Sequence, residues 1–170
     1  MNTKQSAFGK PATLWELCEQ TVEAILARPL NYYQDDYYAE AQGCMFNKNG
    51  AVLEGACGTA YCRSGWMGTI LGLETKYLSS VPEELLENAG IDSYQVNKLF
   101  SAIGCLSENN PFERSFFYSD GDERRPGTKA YARAGAAGLK KFMRRYEKNL
   151  KAARLVKQDD QYSIEISDVA

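Results

Sequence analysis

The stretch from Thr128 to Val156 reads TKAYARAGAAGLKKFMRRYEKNLKAARLV, and it decides the fold class. It holds no proline, and Ala, Leu, Lys and Arg, all strong helix formers, dominate it. Thr128 can accept from the free amides of a first helical turn, so the pattern predicts one long helix to about Val156. Tyr131, Ala134, Gly138, Phe142, Tyr146, Leu150 and Ala153 recur at helical spacing as its apolar stripe. Arg133, Lys140, Lys141, Arg144, Lys148 and Lys151 fall on another face. Gly135 to Gly138 reads as close packing within this helix, not as a phosphate loop.

Working outward, the same periodicity recurs near the N-terminus. Leu14, Leu17, Cys18, Val22, Ile25 and Leu26 predict a helix over residues 14–27. Thr13 and Glu16 have the spacing of a capping box, and Pro29 stops the run. Pro82 at a first turn and Gly90 as a stop bracket a short helix; Asp92 and Gly104 bracket another, from Ser93 to Ile103. Asn47-Lys48-Asn49-Gly50 suggests a turn joining Cys44–Phe46 to Ala51–Leu53 as a small hairpin. The expected architecture is mostly α: one domain of about five helices over residues 13–157, with that hairpin. Residues 1–12 are expected to be a frayed N-terminus. Residues 158–170 are expected to be a polar tail in which Tyr162, Ile164 and Ile166 alternate like an edge strand.

At 170 residues the chain is long enough for one self-sufficient core. It has no histidine, so imidazole-based triads and imidazole metal sites are excluded. Acid–base chemistry would fall to carboxylates, Lys, Tyr or Cys, which favours a non-enzymatic role. The acid pairs Asp35-Asp36, Glu83-Glu84 and Asp159-Asp160 have no spacing that suggests catalysis, and adjacent helical acids do not face each other. No signal peptide or membrane span is legible, and with five cysteines this points to a cytoplasmic protein with reduced thiols. The net charge of −2 hides a split. From Arg124 to Lys157 there are twelve Lys and Arg against one acid, Glu147, a net +11; the other residues carry eight bases and 21 acids, a net −13.

One local motif, Cys57-Gly58-Thr59-Ala60-Tyr61-Cys62-Arg63-Ser64-Gly65-Trp66, carries a chemical story. If Thr59 caps a helix beginning there, Cys57 sits at its positive end and becomes a candidate thiolate. The same residues read equally as small core thiols among glycines. A third reading groups Cys44, Cys57, Cys62 and Cys105 as a four-thiolate metal site, although only one short cysteine spacing is present. A fourth makes Cys57 a nucleophile without a histidine base.

The pattern Cys-Gly-Thr-x-x-Cys-x-x-Gly-Trp resembles a recurring motif of small uncharacterised bacterial and phage proteins. Tyr32-Tyr33-Gln34-Asp35-Asp36-Tyr37, Leu71-Gly72-Leu73, Leu99-Phe100 and the helix from Ala130 to Tyr146 are similar to flanking features of that family. The likeness spans residues 32–146, and it implies a phage or prophage setting but little chemistry. Arg63-Ser64 departs from the family pattern of an apolar residue and Ala, a departure expected to put a charge on a surface the relatives keep apolar.

The leading expectation is a non-enzymatic binding protein, without a cofactor, that occupies a host protein or sequesters a small anionic, nucleotide-like ligand. Tyr33, Gln34, Tyr37, Cys57, Thr59 and Arg63 would form the ligand pocket, since helix N-termini bind anions. A cysteine-centred metalloprotein or enzyme is one alternative. A nucleic-acid binder using Lys140, Lys141, Arg144 and Lys148 is the other. No membrane partner is expected, and a homo-oligomer is compatible with each reading.

Overall fold

The computed structural model describes residues 9–32, 39–40, 59–60, 62–73, 80–100 and 129–167. It is mostly α-helical. The helices, in chain order, are α1 (Leu14–Ala27), α2 (Arg63–Leu71), α3 (Ser80–Asn88), α4 (Ser93–Phe100), α5 (Lys129–Arg145) and α6 (Glu147–Ala152). A single 3₁₀ turn, Pro29–Asn31, follows α1. Strands β1 (Ala39–Glu40) and β2 (Thr59–Ala60) pair antiparallel, as do β3 (Ala153–Gln158) and β4 (Gln161–Ile166).

Helix α1 has the predicted limits, and its cap explains them. Thr13 Oγ1 accepts from the Glu16 amide at 3.2 Å, and the Glu16 carboxylate accepts in return from the Ala12 amide at 2.6 Å. The box therefore closes one residue earlier than its usual form, on the residue before the cap. Leu14, Leu17, Cys18, Val22, Ala24 and Ile25 form the buried face, which packs against α2 and α5. Thr21, buried in the same face, donates to the Leu17 carbonyl at 2.7 Å and leaves no orphaned hydroxyl.

One expectation for the C-terminal region is corrected and one is met. The long helix does not reach Val156. It is interrupted at Tyr146 (φ −114°, ψ 25°), resumes as α6, and gives way at Ala153 to β3. Hydrogen bonds from the Tyr146 amide to Phe142 and from the Leu150 amide to Tyr146 join the two helices across the interruption. The edge strand expected through Tyr162, Ile164 and Ile166 is present as β4. Asp159, in the left-handed region at φ 54°, and Asp160 form a two-residue turn, and β4 pairs with all six residues of β3. The Leu155 amide donates to the Ala12 carbonyl at 2.9 Å on the other side of β3, so this strand is the middle of the local pairing. Tyr162 Oη donates to the Leu71 carbonyl at 2.6 Å and ties the hairpin to the end of α2.

The buried side of α5 is also rotated from the expected stripe. Tyr131 and Phe142 are buried as expected, but they are joined by Ala132, Gly135, Ala136, Leu139 and Met143, not by Ala134 and Gly138. The rotation follows from the break at Tyr146. A single stripe drawn through Leu150 and Ala153 crosses two helices and a strand, which drags the phase away from that of α5 alone. The expected hairpin at Cys44–Phe46 and Ala51–Leu53 lies outside the described residues.

Candidate functional site

The helix expected to begin at Cys57-Gly58-Thr59 begins at Arg63, and this is the main correction at the cysteine motif. Thr59 is on strand β2, paired with Glu40, and so does not cap a helix. Cys62 takes that role: its extended backbone (φ −72°, ψ −175°) presents Sγ to the Gly65 amide at 3.3 Å. A sulfur is a weaker acceptor than the oxygen of Thr or Ser, and sequence rules for caps therefore passed it over. Gly72, in the left-handed region at φ 72°, stops the helix after its nine residues in the usual way for a C-terminal glycine.

Arg63 points inward. It is the largest fully buried side chain among the described residues. Its Nε and Nη2 donate to the Gly135 carbonyl at 3.1 and 3.0 Å, and Nη1 donates to the Leu99 carbonyl at 2.5 Å. Leu99 belongs to the last turn of α4, where carbonyls lack helical partners and carry partial negative charge. The guanidinium thus closes the end of one helix while gripping the middle of another. Only a planar fork with several donors can serve both acceptors at once. The charge of Arg63 therefore lies in the core, where it was expected on the surface.

Around this contact lies a tightly fitted aromatic cluster. Tyr32 and Tyr131 are both fully buried, with ring centroids 5.4 Å apart. Tyr32 lies against Gly135 so closely that a Cβ there would fall 2.3–2.4 Å from two ring carbons and the hydroxyl oxygen. Gly135 is the point where Tyr32 and Arg63 both reach α5.

The expected ligand pocket is accordingly divided. Thr59 sits in a strand, Arg63 lies beneath the surface, and Tyr33, Gln34, Tyr37 and Cys57 fall outside the described residues. Of the four proposed metal ligands, Cys62 is a buried helix cap, while Cys44, Cys57 and Cys105 are outside the described residues. Among the described residues, no three His, Cys, Asp or Glu side chains converge as a metal site. Cys18 and Cys62 are free thiols there. Burial, reinforced by neighbouring Glu19, pushes the Cys18 thiol up to about 12, the opposite of an activated nucleophile.

Among the described residues, the feature that does present chemistry to solvent is the outer face of α5. Its exposed positions are Lys129, Arg133, Ala137, Lys140, Lys141, Arg144 and Arg145, so six of seven are basic. At about 100° per residue these occupy less than half the circumference, opposite the buried arc. Arg133 and Arg144 are about 16 Å apart along the axis at the standard helical rise. Lys148 and Lys151 continue the exposed basic run onto α6, with Lys151 bridged to Glu147 at 2.5 Å. The four nucleic-acid candidates, Lys140, Lys141, Arg144 and Lys148, are all exposed.

Sequence reading missed what stands at the C-terminal end of this face. Arg145 Nη1 donates to Gln95 Oε1 on α4 at 3.4 Å, and its guanidinium lies 5.6 Å from the Tyr146 ring centroid. Beside Gln95 in the chain is Tyr94, which is 68% exposed. Only the contact of Gln95 with Arg145, a tertiary fact, places this turn of α4 at the end of α5.

Comparison with family models, with curated proteins and with solved structures finds no match. Among the described residues no helix is long and apolar enough to cross a membrane. The functional reading rests on the chain's own residues.

Proposed function

We propose that this chain is a non-enzymatic binding protein that holds nucleic-acid phosphates on the basic outer face of α5 and α6. The observation that carries this reading is the composition of the exposed α5 positions: Lys or Arg at six of seven, with no acid in the helix. Such a row attracts a linear polyanion through counterion release at each phosphate contacted. Two other occupants fit less well. A small anion calls for converging donors, whereas these charges are spread along a rod. A protein partner calls for a desolvated apolar or aromatic anchor at its centre, and lysine is depleted at such centres. The exposed α5 face offers only Ala137 between its charges.

The acidic remainder of the chain opposes non-local attraction, so contact is confined to this face and is strongly sensitive to salt. A phage or prophage setting, and action against a host function, are carried by the resemblance at the cysteine motif alone.

The test is the joint substitution Lys140→Gln, Lys141→Gln, Arg144→Gln and Lys148→Gln, all at exposed positions. Binding to labelled nucleic acid at low salt is measured by fluorescence anisotropy. The reading expects wild-type protein to bind and the variant to lose most of that affinity with an unchanged unfolding temperature. Equal binding by the two proteins, or wild-type binding to polyglutamate but not to nucleic acid, would overturn it.

A further inference from the structure

Tyr94 lies in the helical turn that meets the end of the basic face, and this placement bears on which form of nucleic acid the surface takes. Among the described residues, the exposed large hydrophobic side chains are Leu26, Tyr94 and Ile166, and Tyr94 is the one aromatic. Its backbone is fixed in the first turn of α4, where its amide donates to Asp92 Oδ1 at 3.0 Å. The adjacent Gln95 accepts from Arg145, which places this turn beside the last turn of α5. Arg145 is itself placed between that amide oxygen and the ring of Tyr146. Tyr146 in turn packs on Phe142, with ring centroids 4.9 Å apart, so the guanidinium rests on a supported surface.

From these observations we propose that the basic face takes single-stranded nucleic acid, with Tyr94 as a platform on which a base stacks. This rests on the phosphate-binding reading above and deepens it. A row of cations tracks the backbone of any nucleic acid, but an exposed ring gains from a base only when that base is out of a duplex stack. Sequence preference is therefore weak, because every base has a face to stack.

The test compares three labelled ligands of about 20 nucleotides, a length that exceeds a single site. They are oligothymidylate, a duplex, and an abasic deoxyribose-phosphate strand. Each is titrated against wild-type protein, Tyr94→Ala, Tyr94→Trp and the pair Lys140→Gln/Arg144→Gln. The expected result is that Tyr94→Ala weakens oligothymidylate binding by about 5- to 150-fold, the range for one lost base–aromatic stack. It leaves the abasic strand and the duplex unchanged, and Tyr94→Trp restores or exceeds wild-type affinity. Because Tyr94 is exposed, the substitutions leave the fold intact, and circular dichroism checks this. If Tyr94→Ala binds oligothymidylate like wild type while the Lys140→Gln/Arg144→Gln pair does not, the stacking platform is wrong and the phosphate reading stands. If no strand binds wild-type protein, both are wrong.

Discussion

Replacing Gly135 with alanine should destabilise the protein, although the same change in most helices is favourable. The added Cβ would lie 2.3 Å from Cε1 and 2.4 Å from both Cζ and Oη of Tyr32. Carbon atoms pack at about 3.5–4.0 Å, so the overlap exceeds about 1 Å at the two ring carbons. Tyr32 has no room to withdraw, because it is fully buried and its ring meets Tyr131 at 5.4 Å. Overpacking of this kind costs about 1–3 kcal/mol, and the contact is tight enough to place it near the upper end. Helix propensity returns about 1 kcal/mol. The net loss is then about 1–2 kcal/mol, which in a chain of this length lowers the unfolding midpoint by about 2–8 °C. Thermal and urea unfolding followed by far-ultraviolet circular dichroism measures it. In a Tyr32→Ala background the ring is gone, and Gly135→Ala should become neutral or stabilising by up to about 1 kcal/mol. A rise in midpoint for Gly135→Ala in the wild-type background would falsify the packing argument.

Three further outcomes follow from the buried groups. Arg63→Lys keeps the charge but cannot serve the Gly135 and Leu99 carbonyls together, so urea unfolding should show a loss of about 1.5–3 kcal/mol, the worth of one charge-assisted bond. Cys18 stays a neutral thiol in the folded state while the unfolded chain ionises above its ordinary value of 9.0; stability should therefore fall as pH rises from about 9 towards 12, by at most about 1.4 kcal/mol per pH unit, and Cys18→Ala should flatten that slope in urea titrations at pH 8 and 10. Tyr162→Phe removes the bond to the Leu71 carbonyl, and unfolding should show a loss of about 1 kcal/mol, with faster hydrogen exchange in β3 and β4.

The helical architecture was legible where periodicity and caps agreed. Helix α1 is the clearest case, since Thr13, Glu16 and Pro29 mark both ends of one apolar stripe. The exposed basic face of α5 was legible for a related reason: charged side chains avoid burial, so their phase survives an error in the apolar stripe. Two kinds of information were not in the local pattern. Ala152-Ala153-Arg154-Leu155-Val156 suits a helix or a strand, and pairing with β4 and with Ala12 decides for the strand. At the cysteine motif, Thr59 was the better cap by propensity, yet pairing with Glu40 takes it into β2 and leaves the cap to the Cys62 thiol. The inward course of Arg63 was hidden because it depends on carbonyls 36 and 72 residues away in the chain. The position of Tyr94 was hidden in the same way, since it follows from the contact of its neighbour Gln95 with Arg145 on another helix.

The salt dependence of binding tests the basic face most directly. With about four cations of α5 and α6 engaged on a single strand, the logarithm of the association constant should fall with the logarithm of salt at a slope of about −3. The pair Lys140→Gln/Arg144→Gln should reduce the steepness by about 1.4. A flat salt profile, or an equal slope for the two proteins, would contradict the assignment of this helix face to phosphate binding.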